Sequence, residues 1–518
     1  MIQALEIKNS INDSLTGMET QNAEAASRLD TYILENTPQR IRDRYHSLNQ
    51  YAKEHSFGEL DEDVVVIDTE TTGFSFNHDE LIQIAAARMA HGEITGWYVT
   101  FVNPGKPIPE EVAHLTNISD EDVADAPDAN TAVAGLVEFV GSSDVVAHNA
   151  NFDRTFCTKY PAGEVLKENW WIDSLDLAKI ALPRLTSHRL LDLVRAFGGP
   201  DSTHRADDDV AATCLVYRVL LAAVDTMPVP LLQHIADMCD IETWNTERVF
   251  KCLASMKQSE GPYSLRASRK AAVAQASAPL RPDANAPQPP ASDNALPSAE
   301  EPATLEFATE KEIADAFSAE GLLGGLYDEY EPREEQREMA LAVNRALSSS
   351  RNLAVEAGTG VGKSMAYLVP LAIAAQKNGI TVGVATKTNA LLDQLVHKEL
   401  PLLSRAMGIT YAPLKGFSHY PCLRKVDGLV NQGPAIIHYR KQEINQAPAL
   451  AGLLSFVEQS DYDDMDALKI DYRAIPRWRI STKSNECLRH KCPFFGRSCF
   501  VHGAREQAQR CDVVVTNH

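Results

Sequence analysis

Apolar runs that stop abruptly at acidic residues set the pattern of this chain. Val64, Val65, Val66 and Ile67 run straight into Asp68-Thr69-Glu70-Thr71-Thr72-Gly73. A continuous apolar run that ends in two acids predicts a strand. Period-two alternation then puts Asp68 and Glu70 on one face of the strand end. A second short run, Val145-Val146-Ala147, leads into His148-Asn149-Ala150-Asn151-Phe152-Asp153. Further on, His204-Arg205-Ala206-Asp207-Asp208-Asp209 precedes a helical pattern over residues 210–217. A strand is predicted at residues 352–355, followed by a glycine-rich loop and a helix over 365–375, and another strand over 512–518. Residues 1–60 show weak helical patterning, and residues 227–256 read as further helices. Residues 265–302 are rich in Ala, Pro, Ser and Asp without apolar periodicity. They read as a disordered tether whose flexible coil spans roughly 35 Å.

The acids carry the first chemical signal. Two carboxylates side by side repel unless a cation fills the gap. Oxygen donors favour magnesium or manganese over zinc. Each piece also has a plainer use. Two acids can simply end a strand, Asp153 can cap a helix, and acids gather in first helical turns for dipole reasons.

The three pieces in this order resemble the DEDDh family of 3′→5′ exonucleases. Asp68-x-Glu70-Thr-Thr-Gly matches the family's first motif, His148-Asn-Ala-x-Phe-Asp153 its second, and His204-x4-Asp209 its third. The resemblance extends over residues 64–221. It implies that Asp68, Glu70, Asp153 and Asp209 hold two divalent ions, Mg2+ or Mn2+, and that His204 takes the proton from the attacking water. An imidazole titrating near neutral pH suits that task.

The second signal is Glu356-Ala357-Gly358-Thr359-Gly360-Val361-Gly362-Lys363-Ser364. A glycine loop between a strand and a helix, ending in Lys-Ser, is the arrangement that cradles phosphates on backbone N–H groups. Lys363 is expected at the β/γ-phosphates of ATP and Ser364 on magnesium, with Gly358, Thr359, Gly360 and Gly362 shaping the loop. Tyr330-Glu331-Pro332-Arg333-Glu334-Glu335-Gln336 resembles the adenine-reading Q motif of superfamily 2 helicases, which makes Gln336 the expected base contact. Residues 385–395 resemble their motif Ia. Leu414-Lys415-Gly416-Phe417-Ser418-His419-Tyr420-Pro421-Cys422 resembles the opening of the iron–sulfur domain in XPD/DinG-like helicases.

The chain has nine cysteines. No signal peptide or membrane-spanning run is visible, so disulfides are not expected and a cytoplasmic location is. Cys422 stands apart from Cys487-x4-Cys492-Pro493-x5-Cys499. By spacing, four such thiolates hold either zinc or a [4Fe–4S] cluster; the helicase resemblance implies the cluster. Most of Cys157, Cys214, Cys239, Cys252 and Cys511 read as buried structural thiols. The net charge of −22 argues against a generally basic nucleic-acid binder. Lys387, Arg424, Lys425, Arg477, Arg479, Lys483 and Arg489 are local candidates for phosphate contact, though each alone reads as a surface charge. Trp478 is expected to pack in a core, with base stacking as the alternative.

At 518 residues, two or three domains are expected. The fold class is α/β: an RNase H-like exonuclease domain with a mixed sheet, plus a partial RecA-like P-loop domain with an inserted iron–sulfur domain. The expected boundaries are a helical lead-in at 1–60, the exonuclease at 61–224, a helical extension at 225–263 and a linker at 264–304. The front of the RecA-like domain follows at 305–421, the iron–sulfur domain at 422–505 and a return strand at 506–518. The sequence contains no Asp-Glu-Ala-His box and no second RecA-like domain. It therefore reads as the front of a longer exonuclease–helicase, with weak ATP binding and neither efficient hydrolysis nor unwinding. The expected partners are single-stranded DNA or DNA 3′ ends, and ATP, with no membrane. Two other readings stay open: a nuclease fold kept as a DNA-binding scaffold for a motor, and an exonuclease acting on RNA.

Overall fold

A computed structural model describes residues 28–199, 206–238, 244–275, 305–327, 329–358 and 360–517. His204, Cys239 and Thr359 lie outside the described residues. The chain gathers into two units. One comprises Met1–Ala274, Arg424–Asp461 and Met465–Ile480, the other Gln275–Leu423, Tyr462–Asp464 and Ser481–His518.

The first unit is organised by the strand that the apolar run predicts. Strand β1 spans Val64–Thr71, and Val64 to Ile67 are buried on both faces. It is central in a five-stranded sheet with β2 (Leu81–Ala90), β3 (Glu93–Phe101), β4 (Asp144–Ala147) and β5 (Trp171–Asp173), in the order β3-β2-β1-β4-β5. β2 runs antiparallel to β1 and β3, while β4 and β5 run parallel to β1. His91 and Gly92, with φ of 52° and 86°, close the β2–β3 hairpin as a two-residue turn whose twist matches the strands. This mixed sheet is the RNase H-like arrangement expected from the sequence. Helix α1 (Gln39–Glu54) buries Ile41, Tyr45, Leu48 and Ala52 along one face, so this part of the lead-in packs into the body, while residues 1–27 lie outside the described residues. Helix α2 (Ala129–Val140) is capped by Asp128, which accepts from the amides of Asn130 and Thr131. Helices α3 (Ala150–Thr158), α4 (Ser174–Ala181) and α5 (Ala206–Asp225) follow, and α5 packs across β1 and β2.

The expected linker at 264–304 needs correction at its start. Leu265–Gln275 is a helix, α6, with Leu265, Arg269 and Ala272 buried at i, i+4 and i+7. Alanine-rich composition favours a helix once one face finds a partner. Residues 276–304 lie outside the described residues.

In the second unit, β6 (Val382–Thr386), β7 (Tyr411–Leu414) and β8 (Val513–Asn517) form a parallel sheet in the order β6-β8-β7. The helix Lys363–Asn378 lays Leu368, Val369 and Ala372 against Val384, Val513 and Val515. The strand expected at 352–355 is absent. Residues 351–358 have no regular structure, and Leu353 and Val355 are each 45% exposed. A four-residue run becomes a strand only beside an open sheet edge, and the described sheet does not pair with it.

The expected iron–sulfur domain at 422–505 is divided between the units. Residues 424–461 and 465–480 belong with the nuclease body, while Cys422 and residues 481–505 belong with the P-loop body. The helix Ala447–Glu458 explains the division. Ten of its twelve residues are buried, and a helix apolar all round must be enclosed by its neighbours.

Candidate active site

The end of β1 presents Asp68 opposite Ala85 of β2 and Glu70 opposite Gln83, on one face two residues apart. The parallel neighbour β4 ends at Ala147. The chain then turns through Asn149 in the left-handed region, φ 72°, and starts α3. That turn delivers Asp153 to the flank of β1. The hydroxyl of Thr69 donates to Asp153 Oδ1 at 2.8 Å. The first turn of α5 crosses the same strand end and brings in Asp209. Carboxylate oxygens of Asp68, Glu70 and Asp209 all lie within 4.8 Å of one another, the one such acidic, histidine or cysteine group of three among the described residues.

Gathering these acids costs them their ordinary ionisation. Burial, then the charges of Asp153, Glu70 and Asp209, holds Asp68 well above the usual carboxylate range. Burial and the charges of Asp209 and Asp153 push Glu70 up to about 8. Burial pushes Asp153 up to about 7, against the opposing bond from Thr69. Half-buried oxygen donors crowded this closely fit a divalent cation by donor type and by charge.

A raised acid pKa means that the folded state holds more protons than the unfolded one. Its stabilising contribution is complete below the ordinary carboxylate range and is lost as pH climbs through about 7 to 8. Metal-free protein is therefore expected to lose thermal stability between about pH 5 and 9 through these groups, and Glu70→Gln is expected to flatten the slope. Mg2+ or Mn2+ binding the folded site offsets the loss. An unchanged slope in Glu70→Gln contradicts this.

Sequence reading missed the groups that brace the acids. Asp173, at the end of β5, accepts from the Asn149 amide at 3.0 Å while capping α4 through the amides of Leu175 and Asp176. His148 Nδ1 meets Ser174 Oγ at 2.9 Å, and its Nε2 meets the His188 carbonyl at 3.1 Å. Burial pushes both His148 and His188 down to about 4, so they act here as neutral staples. Gly73 leaves room for Asp79, whose carboxylate oxygen would sit 2.6 Å from an added Cβ. Nothing in a linear motif marks Thr69 as the partner of an acid 84 positions away. Thr69→Val is expected to weaken Mg2+ binding 10- to 100-fold, roughly the cost of losing an outer partner of a metal ligand. Calorimetric titration of the metal checks it; unchanged affinity sinks the assignment.

In the second unit, Gly362 (φ 79°) caps the helix that begins at Lys363, and Gly360 is also left-handed at φ 85°. Lys363 Nζ donates to the carbonyls of Ala357 and Gly358 at 3.0 and 2.6 Å. Gln336 is buried and donates to the Gly362 carbonyl at 2.9 Å, while its Oε1 accepts from Tyr330 at 3.3 Å. Its amide here braces the loop. Arg333 donates to the Gly360 carbonyl, and Ser364 bonds the Tyr367 hydroxyl.

Cys422, Cys487, Cys492 and Cys499 are all partly exposed. Burial pushes the Cys499 thiol up, and the nearby Cys422 and Cys487 push it further. Cys487 Sγ accepts from the Arg489 amide at 3.4 Å and lies 3.9 Å from His502 Nε2. Of the other thiols, Cys157, Cys214 and Cys511 are buried as expected, whereas Cys252 is only partly so. Trp478 does not pack in a core: it is 70% exposed, between Arg477, which bonds Asp466, and Arg479, which bonds Gln432.

A family model described as Exonuclease matches residues 65–217. The 3′-5′ exonuclease DinG of Bacillus subtilis is 28% identical over 467 residues, 88% of this chain and 46% of that protein. The ATP-dependent DNA helicase YoaA of Escherichia coli is 36% identical over 209 residues, 40% of this chain and 31% of that protein. The chain thus spans about half the length of the first of these relatives and less of the second. Among solved structures, exonuclease X in complex with 5′-overhanging duplex DNA overlaps 30% of this chain and 90% of its own at 25% identity, with a TM-score of 0.26. Residues 65–217 thus match an exonuclease family model, in a chain similar over 88% of its length to a DinG exonuclease.

Proposed function

We propose that this chain is a metal-dependent 3′→5′ DNA exonuclease joined to the ATP-binding front half of a DinG-like DNA helicase, acting in DNA repair. The convergence of Asp68, Glu70, Asp153 and Asp209 at the end of β1 carries the nuclease reading. These four carboxylates would hold Mg2+ or Mn2+, which activates water and neutralises charge on the phosphodiester. The protein's own part is to fix them. β1 sets the spacing of Asp68 and Glu70, and Thr69 orients Asp153. The α3 and α5 turns bring in the remaining acids before substrate arrives, so no reorganisation is needed during reaction. By the family resemblance, His204 takes the proton from the attacking water. The names of the relatives support DNA as the polymer.

Gly358, Thr359, Gly360, Gly362, Lys363 and Ser364 form the nucleotide loop, on which Lys363 exchanges its loop carbonyls for ATP phosphates. Cys422, Cys487, Cys492 and Cys499 hold a [4Fe–4S] cluster. The resemblance of residues 414–422 to the opening of the iron–sulfur domain supports the cluster over zinc. Iron and labile sulfide in anaerobically purified protein, lost in Cys499→Ser, test it; stoichiometric zinc instead sinks it. No single described helix is long and apolar enough to cross a membrane, and a thiolate-held cluster suits a reducing cytoplasm.

Matched DNA and RNA oligomers test the substrate. DNA is expected to shorten stepwise with Mg2+ or Mn2+ and to survive in chelator. Preferential loss of RNA overturns the substrate, and metal-independent loss overturns the site.

A further inference from the structure

The nuclease unit contains residues 424–461 and 465–480, although more than 200 positions separate them from its sheet. We propose that this inserted segment docks the exonuclease through the C-terminal end of the helix Ala447–Glu458. This dock then gives the nuclease a second attachment to the rest of the chain, beside the covalent one through residues 276–304.

Two kinds of contact make the dock. The first is apolar. The helix packs against α4 and against the helix Val229–Asp237. Gly452 is the point of close approach, where an added Cβ would lie 3.0 Å from Ile470 Cγ2 and 4.0 Å from Ile180 Cγ1.

The second is a polar socket for the helix end. The last carbonyls of a helix lack intrahelical donors and carry partial negative charge. Three arginines from separate parts of the nuclease unit converge there. Arg40, from α1, donates to the Glu458 carbonyl at 3.3 Å and to Asp461 Oδ1 at 3.3 Å. Arg184, just beyond α4, donates to Ser460 Oγ at 3.2 Å and lies 5.6 Å over the Phe456 ring. Arg269, from α6, donates to the Ser460 carbonyl at 2.6 Å and also to that of Asp461. Gln459 has both ends of its amide engaged. Its Oε1 accepts from Tyr45 at 2.7 Å, and its Nε2 donates to the Ala181 carbonyl at 3.1 Å.

Arg184 and Arg269 are fully buried. A buried guanidinium is tolerated only while hydrogen-bonded. The segment after the helix end therefore supplies acceptors to two interior charges of the nuclease body, one for the Arg184 guanidinium, beside those of Asn36 and Thr37, and two for Arg269. Arg269 also ties α6, the last described helix before residue 276, to the same point. The docked segment is continuous in sequence with the P-loop unit at residues 423–424, 461–462, 464–465 and 480–481. Any movement of the segment thus carries the nuclease with it. The dock stands or falls independently of which polymer the nuclease degrades.

A specific protease site placed within residues 281–295 of the full chain tests this. After complete cutting, the two pieces are expected to co-elute in size-exclusion chromatography at sub-micromolar concentration and to part only in denaturant. Separation in buffer overturns the proposal. Gln459→Lys adds a cation beside the arginines and is expected to release the pieces after cutting. Continued co-elution of that variant places the contact elsewhere and also overturns the dock. Hydrogen exchange on uncut protein gives an independent readout: residues 447–458 and 174–181 are expected to exchange slowly together and to speed up together in Gln459→Lys. Fast exchange of the first beside a protected second contradicts it.

Discussion

Replacing Asp68 by Ala is expected to lower the rate of nucleotide release about 1,000-fold or more, without loss of fold. Removing one ligand from a cation-holding group forfeits several kcal/mol of charge stabilisation, and about 4 kcal/mol is a thousandfold in rate. The stability effect runs the other way. Burial and three neighbouring carboxylates oppose the Asp68 charge, so its removal relieves repulsion in metal-free protein. Single-turnover release with saturating Mg2+, beside a thermal melt in chelator, separates the two effects. A lost rate with an equal or higher melting temperature is expected. A lost rate with a lower melting temperature assigns Asp68 to the fold, and a retained rate removes it from the site.

Arg184→Ala is expected to destabilise the nuclease unit by about 3 kcal/mol, and so to lower its melting temperature by about 6–12 °C. Arg184 is fully buried and donates to Asn36 Oδ1 at 2.8 Å, Thr37 Oγ1 at 3.3 Å and Ser460 Oγ at 3.2 Å. Truncation leaves these acceptors without their donor and opens a cavity beside Phe456. Arg184→Lys is expected to recover little, because a point ammonium cannot reproduce the planar fork that reaches three acceptors. Unfolding of both variants followed by circular dichroism measures this. A shift under about 2 °C in Arg184→Ala contradicts the role given to the buried guanidinium.

What the sequence made legible is what short-range geometry controls. The strand at β1, the shared face of Asp68 and Glu70, and the glycines at 360 and 362 follow from period, turn chemistry and apolar runs. Three of the four acids form one group in space, and Asp153 is tied to their strand by Thr69. The partners of those acids were hidden, because Asp173 and Thr69 act through bonds across 24 and 84 positions. The allegiance of residues 447–458 was hidden for a different reason. Burial of an apolar helix is non-directional, so composition shows that it is enclosed but not by which body. At Leu265–Gln275 the composition of a longer low-complexity stretch masked one apolar face. At 352–355 an apolar run suggested a strand whose pairing depends on an edge elsewhere in the chain.

The central claim is that the acids at the end of β1 make a metal-dependent nuclease that works from the 3′ end. Single-stranded DNA labelled at either terminus, incubated with Mg2+, tests it most directly. The account predicts immediate release of label as mononucleotide from the 3′-labelled strand. From the 5′-labelled strand it predicts a descending ladder that keeps its label, with both patterns absent in chelator and in Asp68→Ala. Release of the 5′ label first, or digestion that persists in Asp68→Ala, would contradict it.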